Sequence, residues 1–208
     1  MNIKEEFRLA LRELVYPVCV VSSYNDETKE NNAITVSSVT SLSFEPPSIL
    51  VCINKNSTSA LPAALSIELF HNFTLIHDDI MDKAPLRRGK STVHHKWDNN
   101  IAILSGDVLL VKAYQELSKT NSDVLPEVLH LFNKTAIEVC EGQQMDMDFE
   151  KMQSVSQDDY ITMIKLKTSV LLGCALKMGG LLCKTSDENC KNIYDFGVNL
   201  GIAFQIQD

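Results

Sequence analysis

The stretch Leu69–Lys90 reads LFHNFTLIHDDIMDKAPLRRGK and concentrates more charged and polar chemistry than any other part of the chain. If it is helical up to about Lys83, one face carries four polar side chains at steps of three, four and four residues: His71, Thr74, Asp78 and Asp82. Asp79 lies roughly 100° round the helix from Asp78. Asp78 and Asp82 are therefore the pair that can hold one ion together.

The residue types in this stretch suit a diphosphate and a hard metal ion. Two carboxylates one helical turn apart suit Mg²⁺, which keeps waters and takes further ligands from substrate phosphate. Asp79 adds a third acid next to this pair. Pro85 then ends the helix, and Arg87-Arg88 offers planar donor forks for phosphate oxygens. We therefore expect magnesium at the acids and diphosphate at the arginines.

A solvated helix face followed by a surface loop is the alternative interpretation, because most charge clusters are of that kind. An apolar run before the acids, Phe70, Phe73, Leu75 and Ile76, argues instead for a largely buried helix. Like charges on a buried helix repel one another, and a bound cation relieves that cost.

The same stretch resembles the first aspartate-rich region of the trans-isoprenyl diphosphate synthases, the polyprenyl synthetase family, over about residues 62–208. Further motifs follow in the family's order: Leu104–Asp107 (LSGD), Gly142–Asp146 (GQQMD), Lys167-Thr168 and Phe204–Asp208 (FQIQD). The resemblance implies a mainly α fold, a partial isoprenoid-synthase helical bundle. It also implies a prenyltransferase that joins isopentenyl diphosphate head to tail to an allylic diphosphate with the help of Mg²⁺.

Site residues are carried over from the family by position. The resemblance implies that Arg87 binds the allylic diphosphate and that Arg88 and His71 bind isopentenyl diphosphate. It implies that Lys167, Thr168 and Gln205 contact the allylic diphosphate or the nascent cation. It also implies that Gln143 and Asp146 line the cavity. The predicted catalytic residues are Asp78, Asp82, Lys167 and Gln205, and the predicted metal ligands are Asp78, Asp79, Asp82 and Asp208. Solvated or hydrogen-bonded core positions remain the alternative for His71, Lys167 and Gln143.

Phe73 lies five positions before Asp78, on the wall along which a growing chain would extend. By analogy with the family, a large ring there implies a short product of about fifteen to twenty carbons. We predict no catalytic role for His77, a packing role for Trp97 and a buried polar role for Asp107.

Composition restricts the class of protein. The 208 residues contain 45% hydrophobic residues, enough for a folded core, and the net charge of −8 disfavours nucleic acid as a partner. Six cysteines without CxxC spacing indicate reduced thiols in a cytoplasmic protein. We expect no stable membrane anchor, and a homodimer or a heteromer with a complete synthase.

The chain changes character near residue 60. Before that point, short β-branched runs at Val18–Val21, Ala33–Val39 and Ile49–Ile53 predict a small β segment. After it, apolar residues spaced three and four apart predict five helices: Ala63–Met81, Ile101–Lys119, Val124–Met152, Asp158–Leu182 and Asp187–Asp208. The predicted domains are residues 1–60 and 61–208.

Residues 1–60 resemble the opening strands of the flavin reductase-like FMN-binding family, a split β-barrel, through YPVCVVSS and NAITVSSVTSLSFEPPSILVCINKNST. That resemblance implies FMN contacts at Thr35, Val36, Ser37 and Ser38. The alternative is that these residues form the polar face of an ordinary strand.

Both resemblances cover only part of a family domain. The prenyl synthase resemblance lacks the opening helices and reaches Asp208, the first acid of a second aspartate-rich motif. We therefore expect a fusion of two truncated pieces, whose prenyltransferase activity is weak or absent. The alternative functions are an FMN-binding module and a non-catalytic helical partner of a complete synthase.

Overall fold

A computed structural model describes residues 60–207 in full and, before them, the backbone of four strands. The chain divides into two compact units, Met1–Leu61 and Pro62–Asp208.

The described strands of the first unit form two antiparallel pairs. Strands β1 (Cys19–Asn25) and β2 (Glu30–Val36) pair from Cys19↔Val36 to Asn25↔Glu30. Strands β3 (Thr40–Phe44) and β4 (Pro47–Leu50) pair with a register shift between Ser41 and Ser43. Each predicted β run overlaps a strand, whereas β3 was not predicted. Of the predicted FMN contacts, Thr35 and Val36 lie on β2, and Ser37 and Ser38 lie outside the described residues.

The second unit is helical, which confirms the predicted mainly α fold. Its elements in order are α1 (Leu61–Met81), β5 (Leu86–Arg87), β6 (Lys90–Ser91), α2 (Val93–Lys96), α3 (Asn99–Leu117), α4 (Leu125–Phe149), α5 (Gln157–Ile164), a π-helical segment (Lys165–Ser169), α6 (Val170–Leu182) and α7 (Asp187–Gln207). The long helices agree with the predicted segments to within a few residues at each end. The single helix predicted over Asp158–Leu182 is instead α5, the π segment and α6.

Local sequence signals explain where several helices begin. Asp98 accepts a hydrogen bond from the Ile101 backbone N–H at 2.8 Å and so caps α3. Ser156 caps α5 in the same way through the Asp159 N–H. In α4 a proline occupies the first turn, where its missing N–H leaves no helical hydrogen bond unmade.

Aromatic side chains form the centre of the core. The Phe70 ring of α1 meets the Phe132 ring of α4 edge to face, with centroids 5.3 Å apart. Tyr114 of α3 contacts the other side of Phe132 at 5.2 Å. Val128, Val170 and other buried apolar side chains surround these rings. The contacts join α1, α3, α4 and α6 into one core.

The π-helical segment lies between two glycines on neighbouring helices. A Cβ on Gly142 of α4 would lie 2.2 Å from the Lys167 backbone nitrogen, and a Cβ on Gly201 of α7 would lie 2.7 Å from Ser169 Cα. Only glycine allows backbones to approach this closely. Both helices therefore fix the position of Lys167.

None of the described helices is long and apolar enough to cross a membrane. The four cysteines among residues 60–207, Cys140, Cys174, Cys183 and Cys190, are all free thiols.

Candidate functional site

The C-terminus of α1 reverses the chain immediately after the aspartates. The helix ends at Met81, as the predicted helix Ala63–Met81 does, because Lys83 adopts a left-handed conformation with φ of 52°. The Ala84 N–H then donates to the Asp79 carbonyl at 3.0 Å, the bond that marks a Schellman cap. Asp82 therefore lies in the turn just beyond the helix.

A tight hairpin returns the arginines to the aspartates. Strands β5 and β6 are joined by Arg88 and Gly89, whose φ angles of 54° and 74° are those of a type I′ turn. The Thr92 hydroxyl donates to the Ala84 carbonyl at 2.7 Å and closes the base of the hairpin. Arg87, on β5, consequently lies alongside α1.

Arg87 bridges two adjacent carboxylates. Its Nε donates to Asp79 Oδ1 at 2.7 Å, and its Nη2 donates to Asp78 Oδ2 at 2.9 Å. The Asp79 side chain is only 7% exposed, so this contact neutralises a buried charge. Asp79 is therefore paired with Arg87.

Lys167 connects the π segment to the same carboxylates. Its Nζ donates to Asp146 Oδ2 of α4 at 2.6 Å and lies 3.2 Å from Asp78 Oδ1. Burial lowers the pKa of Lys167, but the hydrogen bond to Asp146 and the charge of Asp78 outweigh it, so the pKa stands above the ordinary value. Lys167 is therefore charged, and each oxygen of Asp78 has its own cationic neighbour.

Asp82 carries a charge that these cations compensate poorly. Partial burial and the neighbouring negative charge of Asp78 raise its pKa, the charges of Asp146 and Glu150 add to the effect, and Lys167 opposes it. Asp78, Asp82 and Asp146 thus form one electrostatically coupled acidic group. Sequence reasoning did not include Glu150, which lies one helical turn beyond Asp146.

His71 lies near the arginines. Burial is the main reason that its pKa is lowered; Glu68 opposes the change, and Arg88 and Arg87 add to it. His71 is therefore neutral at pH 7 and able to donate a hydrogen bond without adding charge. The structure brings together the three side chains predicted around the two diphosphates: His71, Arg87 and Arg88.

The remaining predicted residues lie on α4, the π segment and α7. Gln143 lies three residues before Asp146 on α4, and its buried Nε2 finds no hydrogen-bond partner among the described residues. Thr168 is half-buried in the π segment, and Gln205 is half-buried on α7. Asp208 lies outside the described residues.

Two packing predictions are wrong. Trp97 is 56% exposed, with the Lys96 ammonium 4.3 Å above its ring, because it follows the short helix α2 at the surface. The Asp107 side chain is exposed rather than buried and lies 3.7 Å from His77 Nε2. His77 itself packs edge to face on Phe73 at 4.7 Å and against Gly106, whose missing side chain makes room for the ring.

The donor set fits a hard divalent cation that shares its ligands with phosphate. Among the described residues, no group of three or more His, Cys, Asp or Glu side chains is arranged as a complete metal cluster. Asp78 and Asp82 are nevertheless close enough for one charge to raise the pKa of the other. Two carboxylates with excess negative charge suit Mg²⁺, which commonly takes its remaining ligands from water and substrate phosphate.

The fold and the site together define a class of protein: a helical domain in which carboxylates, an arginine and a lysine meet where the first helix ends. The model of the polyprenyl synthetase family matches residues 25–208. This chain belongs to the polyprenyl synthetase family. The match begins well before residue 62, where the resemblance was expected to start. It includes residues 25–60, so over these residues the polyprenyl synthetase family is supported and the expected flavin reductase-like family is not.

Known proteins that resemble this chain support the family assignment. Geranylgeranyl diphosphate synthase of Methanosarcina mazei is 44% identical over 168 residues, which cover 78% of this chain and 52% of that protein. A crystal structure of a geranylgeranyl pyrophosphate synthase matches with a TM-score of 0.69 at 54% identity over 71% of this chain and 45% of that one. The corresponding enzyme of Pyrococcus horikoshii matches with a TM-score of 0.70 at 42% identity over 71% of this chain and 46% of that one. The chain spans about half the length of the curated relatives that it matches.

Proposed function

We propose that this chain carries an isoprenyl diphosphate synthase site, which condenses isopentenyl diphosphate with an allylic diphosphate in a Mg²⁺-dependent reaction. One observation carries the proposal: Asp78, Asp82 and Asp146 share a small region with Arg87 and Lys167. Such a region offers carboxylates for a metal and cations for phosphate oxygens. The names of the relatives give geranylgeranyl diphosphate as the product class of those enzymes.

The reaction breaks one carbon–oxygen bond and forms one carbon–carbon bond. The allylic substrate loses diphosphate, which keeps the bonding electrons, and the double bond of isopentenyl diphosphate attacks the resulting allylic cation. Loss of a proton then gives a diphosphate longer by one five-carbon unit. A divalent cation, when bound, neutralises charge on the leaving diphosphate.

The residues of the chain bind and orient the substrates. Arg87 and Lys167 supply charge-assisted hydrogen bonds to the allylic diphosphate, because both are long cationic side chains next to the proposed metal ligands. His71 and Arg88 are assigned to isopentenyl diphosphate, and Gln143, with its unpartnered Nε2, to the wall of the same cavity. Thr168 and Gln205 are assigned to the allylic diphosphate or to the allylic cation that forms from it. Asp208 is kept as a proposed metal ligand on the family's pattern.

A condensation assay tests this function. The chain is incubated with Mg²⁺, an allylic diphosphate and labelled isopentenyl diphosphate, and extracted products are counted and sized. We expect label in longer prenyl diphosphates only when Mg²⁺ is present, and none from the Asp78→Ala plus Asp82→Ala variant. Incorporation that persists in that variant contradicts the proposal, and vigorous incorporation by the unaltered chain contradicts the expectation that its activity is weak or absent.

Self-association is proposed as well, because one face of α3 is apolar and exposed. Ile101, Leu104, Val108 and Val111 follow one another at helical spacing and are each more than 40% exposed. An open groove of about 610 Å³ adjoins them, lined by Tyr114, Asn133, Ala136, Ile137, Cys140 and Glu141. Such a surface supports a homodimer, and a heteromer with a complete synthase is the alternative.

We propose a cytoplasmic location for the protein.

FMN binding by residues 1–60 remains a separate proposal that rests on the sequence resemblance alone. Quenching of FMN fluorescence on addition of the protein tests it. Undiminished fluorescence at high protein concentration rejects the flavin module.

A further inference from the structure

The segment from Lys83 to Trp97 carries only positive charge, although the protein as a whole is acidic. It reads KAPLRRGKSTVHHKW and contains five lysines and arginines and no aspartate or glutamate, in a chain of net charge −8. The acids on either side are occupied: Asp82 belongs to the acidic group at the end of α1, and Asp98 caps α3. Positive charge is therefore concentrated on the hairpin and on α2.

Three lysines of this segment are exposed and have no acidic partner among residues 60–207: Lys83, Lys90 and Lys96. The two arginines of the segment are not counted with them, because both are assigned to the diphosphates. Exposed cations that have no internal partner are available to an external anionic surface.

Two large apolar side chains are exposed in the same segment. Leu86 is 59% exposed and Trp97 is 56% exposed. Leu86 lies opposite Ser91 in the hairpin, and the Ser91 hydroxyl lies 3.1 Å from His95 Nδ1, so the Leu86 side of the hairpin is connected to α2. The Lys96 ammonium lies 4.3 Å from the centre of the Trp97 ring. The hairpin and α2 therefore present apolar and cationic groups within one small unit.

We propose that residues 83–97 form a docking surface for an anionic membrane. The three lysines contact lipid headgroups, while Leu86 and Trp97 enter the interfacial layer between the headgroups and the acyl chains. The contact is reversible and lies on the surface of the membrane. This inference goes beyond the proposed function and uses none of the side chains that are assigned to substrate or metal.

The combination of residue types favours a membrane over a polyanion or an acidic protein. Lysines alone would suit any anionic surface, whereas an exposed leucine is stabilised only where an apolar layer lies beneath the charged one. Tryptophan is enriched at membrane interfaces because its amphipathic ring lies at the level of the headgroups. The solvent exposure of Trp97, which contradicts its predicted packing role, has a physical reason on such a surface.

The overall negative charge of the protein does not prevent this contact. At physiological ionic strength a charge is screened over about 8 Å, so acids elsewhere on the protein have little effect at the contact. Each lysine close to an anionic membrane strengthens binding about fivefold. Three lysines therefore give a preference on the order of a hundredfold for an anionic membrane over a neutral one.

Trp97 is the only tryptophan of the chain, so its fluorescence reports on this surface alone. The protein is mixed with vesicles of phosphatidylcholine that contain about a third phosphatidylserine, and with vesicles of phosphatidylcholine alone. With the anionic vesicles we expect co-sedimentation, a blue shift of the Trp97 emission, and quenching of that emission when the acyl chains are brominated. Binding to the neutral vesicles should be weaker on the order of a hundredfold.

Substitutions separate the charged from the apolar contribution. The triple variant Lys83→Gln plus Lys90→Gln plus Lys96→Gln should lose the preference for anionic vesicles. Leu86→Ser should weaken binding to anionic vesicles but leave its dependence on phosphatidylserine unchanged. Circular dichroism establishes that each variant is folded before it is compared.

A matched control removes three exposed lysines elsewhere in the chain. Lys119→Gln plus Lys151→Gln plus Lys191→Gln changes the net charge by the same amount, and each of these lysines pairs with an acid three or four residues away. The control variant should bind anionic vesicles as the unaltered chain does.

Three outcomes would overturn the proposal. The first is that the unaltered chain does not bind anionic vesicles. The second is equal loss of binding in the triple variant and its matched control. The third is binding without any shift of the Trp97 emission, which would assign the surface to a polyanion or an acidic protein. The condensation assay contains no membrane, so these results and those for the proposed function are independent.

Discussion

Asp82 has the most poorly compensated charge among the acids at the end of α1. Arg87 holds Asp78 and Asp79, and Lys167 holds Asp146, whereas partial burial and then the negative charge of Asp78 raise the pKa of Asp82. An acid whose pKa is higher in the folded state destabilises that state when it ionises. Stability is therefore lost as the pH rises through the range between the ordinary and the folded pKa.

Replacing Asp82 by Asn removes this penalty. We expect Asp82→Asn to be more stable than the unaltered chain at neutral pH, by less than about 1 kcal/mol because the side chain is exposed and solvent screens its charge. The difference should vanish below the ordinary aspartate pKa, where both proteins are uncharged at this position. Urea unfolding at several pH values measures this difference in stability. A variant that is less stable than the unaltered chain at neutral pH would show that the charge of Asp82 does not destabilise the fold.

Phe73 gives a second prediction for a single residue. Its ring packs on Phe70 at 5.6 Å and on His77 at 4.7 Å, next to the turn of α1 that carries Asp78. Phe73→Ala should cost about 3 kcal/mol of stability and should lengthen the prenyl products, because the ring no longer blocks chain growth. Chromatography of the dephosphorylated products measures their length, and unchanged products reject Phe73 as the floor of the cavity.

Sequence periodicity was sufficient to predict which acids share a helix face but not which cations they meet. Asp78 and Asp82 are one turn apart, and the Asp82 N–H still donates to the Asp78 carbonyl at 2.9 Å, so the end of the helix brings the two acids together. The pairing of Arg87 with Asp78 and Asp79 depends on Lys83 and Arg88 adopting positive φ angles, which are uncommon for these residue types. No pattern of apolar residues indicates such a reversal.

At the scale of the elements, the π segment determines where Lys167 points. Residues Lys165–Ser169 interrupt what would otherwise be one long helix, and Gly142 makes room for them on α4. The sequence predicted an uninterrupted helix because one wide turn barely disturbs the apolar spacing. π-helical turns are rare and occur frequently at functional sites.

Gly142→Ala tests this element. The new Cβ would collide with the backbone of Lys167, and backbone cannot move aside as a flexible side chain can. We expect a loss of about 1–3 kcal/mol in the free energy of unfolding, together with weaker diphosphate binding, because Lys167 shifts.

Gly179→Ala is the matched control. Gly179 lies inside α6, and a Cβ there meets nothing within 4 Å, so alanine should stabilise the helix by up to about 1 kcal/mol. Equal effects of the two substitutions in thermal unfolding would show that the close approach at Gly142 is unimportant.

At the scale of the whole molecule, the exposed apolar face of α3 is a candidate surface for association with another chain. Its side chains were not predicted to be exposed, since a sequence pattern distinguishes apolar from polar faces but not a core from an interface. The structure identifies this face, because Phe70, Phe132 and their neighbours fill the core on the opposite side of α3.

Val108→Glu should dissociate a homodimer that uses this face. Val108 is 53% exposed at the centre of the apolar stripe, so the charge is harmless in a monomer but buried and unpaired in a dimer. Sedimentation velocity measures the change in mass, with Ser118→Glu at the exposed end of α3 as the control. A protein that is monomeric before the substitution contradicts self-association through α3.

The proposed function requires the carboxylates of Asp78 and Asp82 to hold metal and diphosphate together. Calorimetric titration with inorganic diphosphate in the presence of Mg²⁺ tests that claim most directly, in the unaltered chain and in Asp78→Asn plus Asp82→Asn. We predict binding that requires Mg²⁺ and is weakened on the order of a hundredfold in the double variant, because two charged contacts are lost. Equal binding by the two proteins, or binding indifferent to Mg²⁺, would contradict the account.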